Sequence, residues 1–496
     1  MCLICSKIRN YSVNSDGLKR KVIKGSFFVM GANIVSRLIS LLSTLILAKI
    51  LSPEDFGIVG YGFLIVSTIG LIKEMGLNSA LIYQKRNVEK FTATVFWAVL
   101  VWSAFLYMVT FLIAPLAGSF FKEPRIVLVI RVLSLSLVFT SIANIPMTLM
   151  EKDIDFKKRV IPDVIGLSSY GLISIIAAFL GFGYWSFVIG TLLSDIIQIF
   201  ISFALKPIKI FIRAEKKVFK ELFSFGKNVV LLNIMNFLIR NVDDFFVGRL
   251  LGTASLGIYQ FSCRIGNIPA TNITNVFGKV LYPGFAKISE DISRLRGAFL
   301  NSFKYISFLT IPLTVYIILI IPDFIKIFLP KWEGAILPIQ LIAYFGGLRS
   351  LGSGIGSVFL ARGIPGKLVP ISISQLCVIL ILIYPLLKLL GIVGACITID
   401  ISQTLAFVLS ITICSKVIAL KLHDLFLAVE KTILFAIVSL MLVITMRLLI
   451  EYIWGVKELH VFLINLSYIF VYIIIQSFQR GELRSLIKEI KLSIGE

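Results

Sequence analysis

Long apolar runs divided by short polar stretches make up nearly the whole chain. An apolar run of about 17–25 residues is long enough to cross the roughly 30 Å hydrocarbon layer of a bilayer as a helix. Such runs recur at Ser26–Leu47, Phe56–Ile72, Thr92–Ala114, Ile126–Met150, Ile161–Leu180 and Tyr184–Ala204. After a basic stretch from Lys206 to Glu221 they resume at Gly226–Val247, Leu256–Phe277, Leu300–Ile321, Ala335–Leu360, Lys367–Leu387 and Ile392–Cys414. Two more follow, Thr432–Leu449 and Val461–Gln476. The pattern predicts an all-α integral membrane protein of about 14 transmembrane helices. The first run follows a basic tail and is too long for the apolar part of a cleaved signal, so it reads as span 1.

The polar positions then set the orientation. With a cytoplasmic N-terminus, the connections on that side carry about four times as many Lys and Arg as those opposite. Lys206, Lys209, Arg213, Lys216, Lys217 and Lys220 share one of these loops. Positive charge collects on the cytoplasmic side of membrane proteins, so both termini are placed there.

The pattern also repeats. Lys49-Ile-Leu-Ser-Pro-Glu-Asp-Phe-Gly-Ile58 aligns without gaps to Arg249-Leu-Leu-Gly-Thr-Ala-Ser-Leu-Gly-Ile258, and Asn33 falls on Asn233 in the same register. Six spans separate the copies, which gives both the same orientation and implies two parallel six-helix lobes, related by a pseudo-twofold along the membrane normal. The predicted organisation is a basic tail 1–25, an N-lobe 26–205, a basic linker 206–225, a C-lobe 226–415, a linker 416–431, two C-terminal spans in 432–476 and an amphipathic tail 477–496. In that tail Leu483, Leu486, Ile487 and Ile490 oppose Arg484, Lys488 and Lys491, which suits a helix lying on the cytoplasmic membrane surface.

Composition narrows the class. Of 496 residues 58% are hydrophobic and 15% charged, with a mean hydropathy of +0.96, which excludes a soluble core. The net charge of +22 is explained by cytoplasmic loops facing anionic headgroups and needs no nucleic acid. Cys263, Cys377, Cys396 and Cys414 lie in apolar stretches, and Cys2 and Cys5 form a lone C-x-x-C without the second pair of a zinc site. There is no P-loop and no G-x-S-x-G, and His423 and His460 lack metal-ligand spacing. The expectation is a protein that is not an enzyme, with no metal and no cofactor apart from possible H+ or Na+ coupling. Pro146, Pro269, Pro312, Pro338, Pro370 and Pro385 are expected to interrupt spans.

Several motifs together carry a family resemblance. They are Leu47-Ala-Lys-Ile-Leu-Ser-Pro-Glu-Asp-Phe-Gly-Ile58, Gly76-Leu-Asn-Ser-Ala-Leu-Ile-Tyr-Gln-Lys-Arg86, Leu149-Met-Glu-Lys-Asp-Ile-Asp-Phe-Lys-Lys158, Gly181-Phe-Gly-Tyr-Trp-Ser186 and Ser357-Val-Phe-Leu-Ala-Arg-Gly-Ile-Pro-Gly366. In order and spacing they resemble the polysaccharide-export flippases of the multidrug/oligosaccharidyl-lipid/polysaccharide superfamily, the Wzx-like group, over most of residues 20 to 420. The resemblance implies a flippase in a bacterial cytoplasmic membrane. It would move an undecaprenyl diphosphate-linked oligosaccharide to the outer leaflet for O-antigen, capsule or exopolysaccharide synthesis. It further implies membrane lipids and polysaccharide assembly proteins as partners, and a monomeric transport unit. The rivals are a multidrug/cation antiporter of the same superfamily, a peptidoglycan-precursor flippase and, from another class, a membrane glycosyltransferase such as an O-antigen polymerase or ligase. Antiporters of this kind favour an early acidic residue in span 1, where this chain has Arg37, and the glycosyltransferases have a long outer loop that is missing here.

Passing a diphosphate through hydrocarbon calls for a wet, cationic path, so ionisable residues within spans are the candidates. Asn33, Ser36, Arg37, Ser40, Ser43 and Thr44 form one helical stripe in span 1. Asn233, Asn236, Arg240, Asp243 and Asp244 form another in span 7. The repeat register sets Arg240 on Ser40 and Arg37 on Phe237, and Arg37 and Arg240 are the leading candidates for forked hydrogen bonds to phosphate. Arg131, Arg264 and Arg349 follow. Asp195, Asp243, Asp244 and Asp400 are candidates for a coupling ion. Against each stands a plainer role, either helix packing or pairing with an opposite charge.

Overall fold

The computed structural model describes residues 31–32, 35–73, 81, 88–208, 237, 239, 241–454 and 458–477. Among the described residues every regular element is a helix. They divide into two compact units between Gly257 and Ile258.

The first unit contains α1 (residues 35–50), α2 (Pro53–Gly70), α3 (Val88–Phe121), α4 (Arg125–Leu133), α5 (Leu135–Lys152), α6 (Phe156–Phe179), α7 (Trp185–Leu205) and α8 (residues 241–251), and reaches the first residues of α9 (Thr253–Gly266). The run Ser-Pro-Glu-Asp is a helix start. Pro53 occupies the first turn, the Ser52 hydroxyl accepts the Asp55 N–H at 3.2 Å, and the Asp55 carboxylate accepts the Ser52 N–H at 2.9 Å. Span 4 of the sequence reading is two helices, α4 and α5, that meet at Ser134.

The second unit continues through α9, a π-helical turn at Ala270–Thr274, α10 (Asn275–Lys287), α11 (Ile292–Phe328), α12 (Ile336–Leu351), α13 (Ser353–Ala361), α14 (Leu368–Leu390), α15 (Ile392–Val417), α16 (Leu422–Trp454), α17 (Glu458–Leu466) and α18 (Tyr468–Ser477). One packed cluster in it joins Phe299, Phe303, Ile306, Phe359 and Ile418.

Every predicted span overlaps a described helix, and among the described residues nine helical stretches are by themselves long and apolar enough to cross a membrane. Boundaries differ in instructive ways. Residues 422–431, expected in a linker, are the first turns of α16, so the break is confined to residues 418–421. Polar Lys421, His423 and Asp424 depress the local hydropathy, but Leu425 is buried and the helix runs on. Pro338 and Pro370 interrupt nothing. Each sits in the first turn of its helix, where a missing N–H costs no hydrogen bond. Pro269 directly precedes the π turn, so the predicted interruption of span 8 is found there.

Helix ends are defined locally. After α5 the Asp155 N–H reaches back to the Met150 carbonyl (2.9 Å) and Ile154 takes a left-handed φ of 57°. After α13 the Ile364 N–H reaches the Phe359 carbonyl (2.9 Å) around Gly363 at φ 69°. This is the same Schellman stop, at corresponding places in the two halves of the chain. Helices approach through small residues: a Cβ on Gly171 of α6 would overlap Ser43 of α1, and one on Gly190 of α7 would overlap Ser174 of α6. Hydroxyls along the spans bond back to their own helix, as Thr110 does to the Leu106 carbonyl (2.7 Å), Ser307 to Phe303 (2.7 Å) and Thr398 to Gly394 (2.8 Å). Large apolar side chains such as Leu112, Phe179, Phe200 and Leu389 remain exposed, as suits helices bathed in lipid.

Candidate functional site

Two polar clusters stand out in the first unit. One lies at the end of α2 that the charge pattern places outside. The Glu123 carboxylate, buried between α3 and α4, accepts Arg125 Nε (2.7 Å), Arg125 Nη2 (2.8 Å) and the Thr253 hydroxyl (3.0 Å). Arg125 also pairs with Glu54 in the first turn of α2. The hydrogen bonds from Arg125 hold the Glu123 carboxyl below the usual carboxylate range, against a smaller opposing effect of burial.

About two turns further along α2, the fully buried Tyr61 donates to the Gly248 carbonyl at 2.8 Å and lies against the Phe121 ring. Between these contacts the backbones touch. A Cβ on Gly57 would overlap the Thr253 carbonyl, and one on Gly257 would overlap the Pro53 carbonyl. Residues 57 and 257, and 53 and 253, are mates in the 200-residue repeat. The contact is therefore reciprocal: each copy of the motif offers its glycine to the other's carbonyl.

The second cluster lies deeper. The Ser136 hydroxyl of α5 donates to the buried Asp195 carboxylate of α7. One turn along α5, Thr140 bonds to the Ser136 carbonyl and accepts Lys73 Nζ at 2.8 Å. Lys73 lies just beyond α2. The result is a cluster of lysine, threonine, serine and aspartate drawn from the turn after α2 and from α5 and α7.

The predicted site residues scatter. Arg37 and Ser40 are half-buried on α1, and Arg37 has a partner of its own. The Ser43 end of that stripe packs against α6 at Gly171, so that part of the stripe serves helix packing. Asn33, Asn233, Asn236 and Arg240 lie outside the described residues, as do the tails 1–25 and 478–496 and the linker from residue 209. Arg131 stacks over the Phe111 ring, 4.3 Å from its centroid, and donates to the Phe111 carbonyl. Arg264 is exposed on α9, and Arg349 lies over Phe345 at 5.9 Å. Asp243 is buried and Asp244 half-buried on α8, and each has an interaction of its own.

In the second unit Asp400 is buried on α15. Its Oδ1 accepts no hydrogen bond among the described residues, and it lines a groove of about 500 Å³ with Tyr344, Ile401, Thr404, Leu405 and Val408. Four of the residues that build the two clusters, Lys73, Ser136, Glu123 and Thr253, were not singled out from the sequence. Their one legible signal was a charged residue adjoining an apolar run.

Comparison with known proteins follows from this geometry. The sequence model of a family described as "Polysaccharide biosynthesis protein" matches residues 46–337. The teichuronic acid biosynthesis protein TuaB of Bacillus subtilis (strain 168) is 27% identical over 307 residues, covering 59% of this chain and 61% of TuaB. The lipopolysaccharide biosynthesis protein WzxC of Escherichia coli (strain K12) is 23% identical over 359 residues, 70% of this chain and 71% of WzxC. The solved structure of the lipid II flippase MurJ in an inward closed conformation superposes with a TM-score of 0.74 at 17% identity, covering 93% of this chain and all of that one. The likeness to MurJ establishes the shared fold.

Proposed function

The chain belongs to the polysaccharide biosynthesis protein family, and from that footing we propose that it carries a lipid-linked oligosaccharide across a bacterial cytoplasmic membrane, from the inner to the outer leaflet. The observation that carries this reading is the family match through both copies of the repeated motif, joined to a multi-pass helical fold. The names of TuaB, a teichuronic acid biosynthesis protein, and WzxC, a lipopolysaccharide biosynthesis protein, agree with it. The charged groups described within the spans suit it too, because a polar headgroup needs polar partners at membrane depth.

On this reading the protein performs no covalent chemistry, and access to the carrier site alternates between the two faces. The Glu123, Tyr61 and glycine contacts fasten the start of α2 and the α3–α4 connection to residues 248–257. Asp400, whose Oδ1 accepts no hydrogen bond among the described residues, is where H+ or Na+ would bind if transport is ion-coupled. Both termini are cytoplasmic, and Arg37 contributes to the cationic path.

The test is a deletion strain. Without the protein, the undecaprenyl diphosphate-linked repeat unit should accumulate facing the cytoplasm and the corresponding surface polysaccharide should vanish, with both restored by the full chain. Normal surface polysaccharide in the deletion strain would overturn the assignment.

A further inference from the structure

Thr110, Ser307 and Thr398 turn their hydroxyls back onto their own helices, but one belt of the second unit breaks that habit. Thr310 and Thr314 of α11, Ser350 of α12, Ser353 of α13, Thr274 at the end of the π turn and the Asn267 amide each hold a buried side-chain oxygen with no hydrogen-bond partner among the described residues. Thr310 is 1% exposed and Ser350 is fully buried. These groups are neighbours. The helices α11 and α12 run antiparallel: the Gln340 amide donates to the Ile318 carbonyl at 2.8 Å, and a Cβ on Gly347 would lie 2.8 Å from Thr314 Oγ1. A Cβ on the adjacent Gly346 would lie 2.8 Å from the Gly266 carbonyl and 3.4 Å from Asn267 Cα. Ser350 stands one turn beyond both glycines and Thr310 one turn before Thr314, so the antiparallel register brings the two to one layer. Thr274 and Ser353 come two turns beyond Asn267 and Gly346, again level with each other. The backbone is irregular in the same belt. Pro312 interrupts the ladder of α11, the π turn follows Pro269, and α12 gives way to α13 at Gly352. Apolar layers close the belt on both sides, with Phe299, Phe303, Ile306 and Ile355 inward and Ile317, Ile339 and Ile342 outward. At its edge on the π turn, Thr271 is exposed.

We propose that this belt is an internal water site, in which water entering beside Thr271 bridges the oxygens of Asn267, Thr274, Thr310, Thr314, Ser350 and Ser353. The chemistry of the six groups selects water. A hydroxyl both donates and accepts, and a water molecule matches both roles for several hydroxyls at once. None of the six oxygens belongs to a charged group, so a bare ion would find no counter-charge among them. An apolar guest would leave every one of them unpaired. Water also partners the backbone groups that a proline or a π turn releases from the helical ladder at membrane depth. The inference concerns the second unit alone and does not depend on what the protein transports.

The experiment places the full chain in nanodiscs, splits water into hydroxyl radicals with a brief X-ray pulse, and reads side-chain oxidation by mass spectrometry. Bound water delivers radicals where bulk solvent does not reach. Pro269 and residues 310–314 and 346–353 should therefore oxidise clearly faster than Phe299 and Phe359 of the apolar cluster, although a phenyl ring is the more reactive target. Thr310→Val keeps the shape of the side chain and removes its hydroxyl. With water as the partner, the variant loses a hydrogen bond, so its Tm should fall and oxidation of the belt should decline. Oxidation of the belt no faster than that of Phe299 overturns the inference. A rise of Tm in Thr310→Val also overturns it, since that marks a hydroxyl buried without a partner in the unaltered chain. If Thr310→Val does not fold, oxidation of the unaltered protein decides alone.

Discussion

Glu123 shows how much one side chain can organise. It takes two donors from Arg125 and one from Thr253, and so ties together residues 130 positions apart. Its folded-state pKa is depressed. The stabilisation is therefore fully present above the ordinary glutamate value of about 4.3 and is lost as pH falls through the lower folded value. Melting curves in detergent should show the unaltered protein losing stability on acidification below about pH 4. Glu123→Gln should start less stable at neutral pH and lose less over the same range. Equal pH slopes for the two proteins would remove Glu123 from this role.

The sequence hinted at little of this, because Phe-Lys-Glu-Pro-Arg reads as an ordinary outer loop whose acid faces water. Arg131 shows the opposite case: an arginine within an apolar run is plain in the sequence, but its contact with Phe111, a residue 20 positions earlier on α3, is not. Side-chain partners on other helices are tertiary facts, and hydropathy carries no record of them.

At the level of elements, the sequence was a better guide. Spans follow from apolar length, and the start of α2 follows from Ser52, Pro53 and Asp55. Helices that end by turning rather than by losing hydrophobicity were harder to place. The end of α5 depends on Ile154 taking a left-handed conformation that a β-branched residue rarely adopts, so no composition rule marks it. The reciprocal glycines were legible only as a repeat, because their reason is a backbone approach. Gly57→Ala or Gly257→Ala should cost about 2 kcal/mol or more, as overpacking against a rigid carbonyl does. Gly356→Ala, where a Cβ would meet nothing within 4 Å, should be neutral. Guanidinium or thermal unfolding of the purified protein would compare them, and a silent Gly57→Ala would show that α2 and the Thr253 turn part at little cost.

For the whole molecule, the prediction concerns sidedness. Lys122 and Lys157 are both exposed, at opposite ends of α4 and α5. In a chain stripped of its own cysteines, Lys122→Cys should react with an impermeant maleimide added outside intact cells. Lys157→Cys should react only after the membrane is opened. Labelling of both from outside would reverse or break the proposed topology. The fold class and the family were within reach of the sequence because both rest on patterns spread over hundreds of residues. The deeper polar cluster was not, since it brings together Lys73 after α2 and residues of α5 and α7 that lie far apart in the chain.

The hydroxyls that bond back to their own helices have a consequence for how such a chain is made. A serine or threonine presented bare to lipid would raise the free energy of partitioning each nascent segment out of the translocation channel. Thr110, Ser307 and Thr398 instead hide their protons against carbonyls one turn behind them. During biogenesis each segment is thus greasier than its composition, and the chain can be loaded with the polar atoms that its later work requires while still being recognised, segment by segment, as membrane.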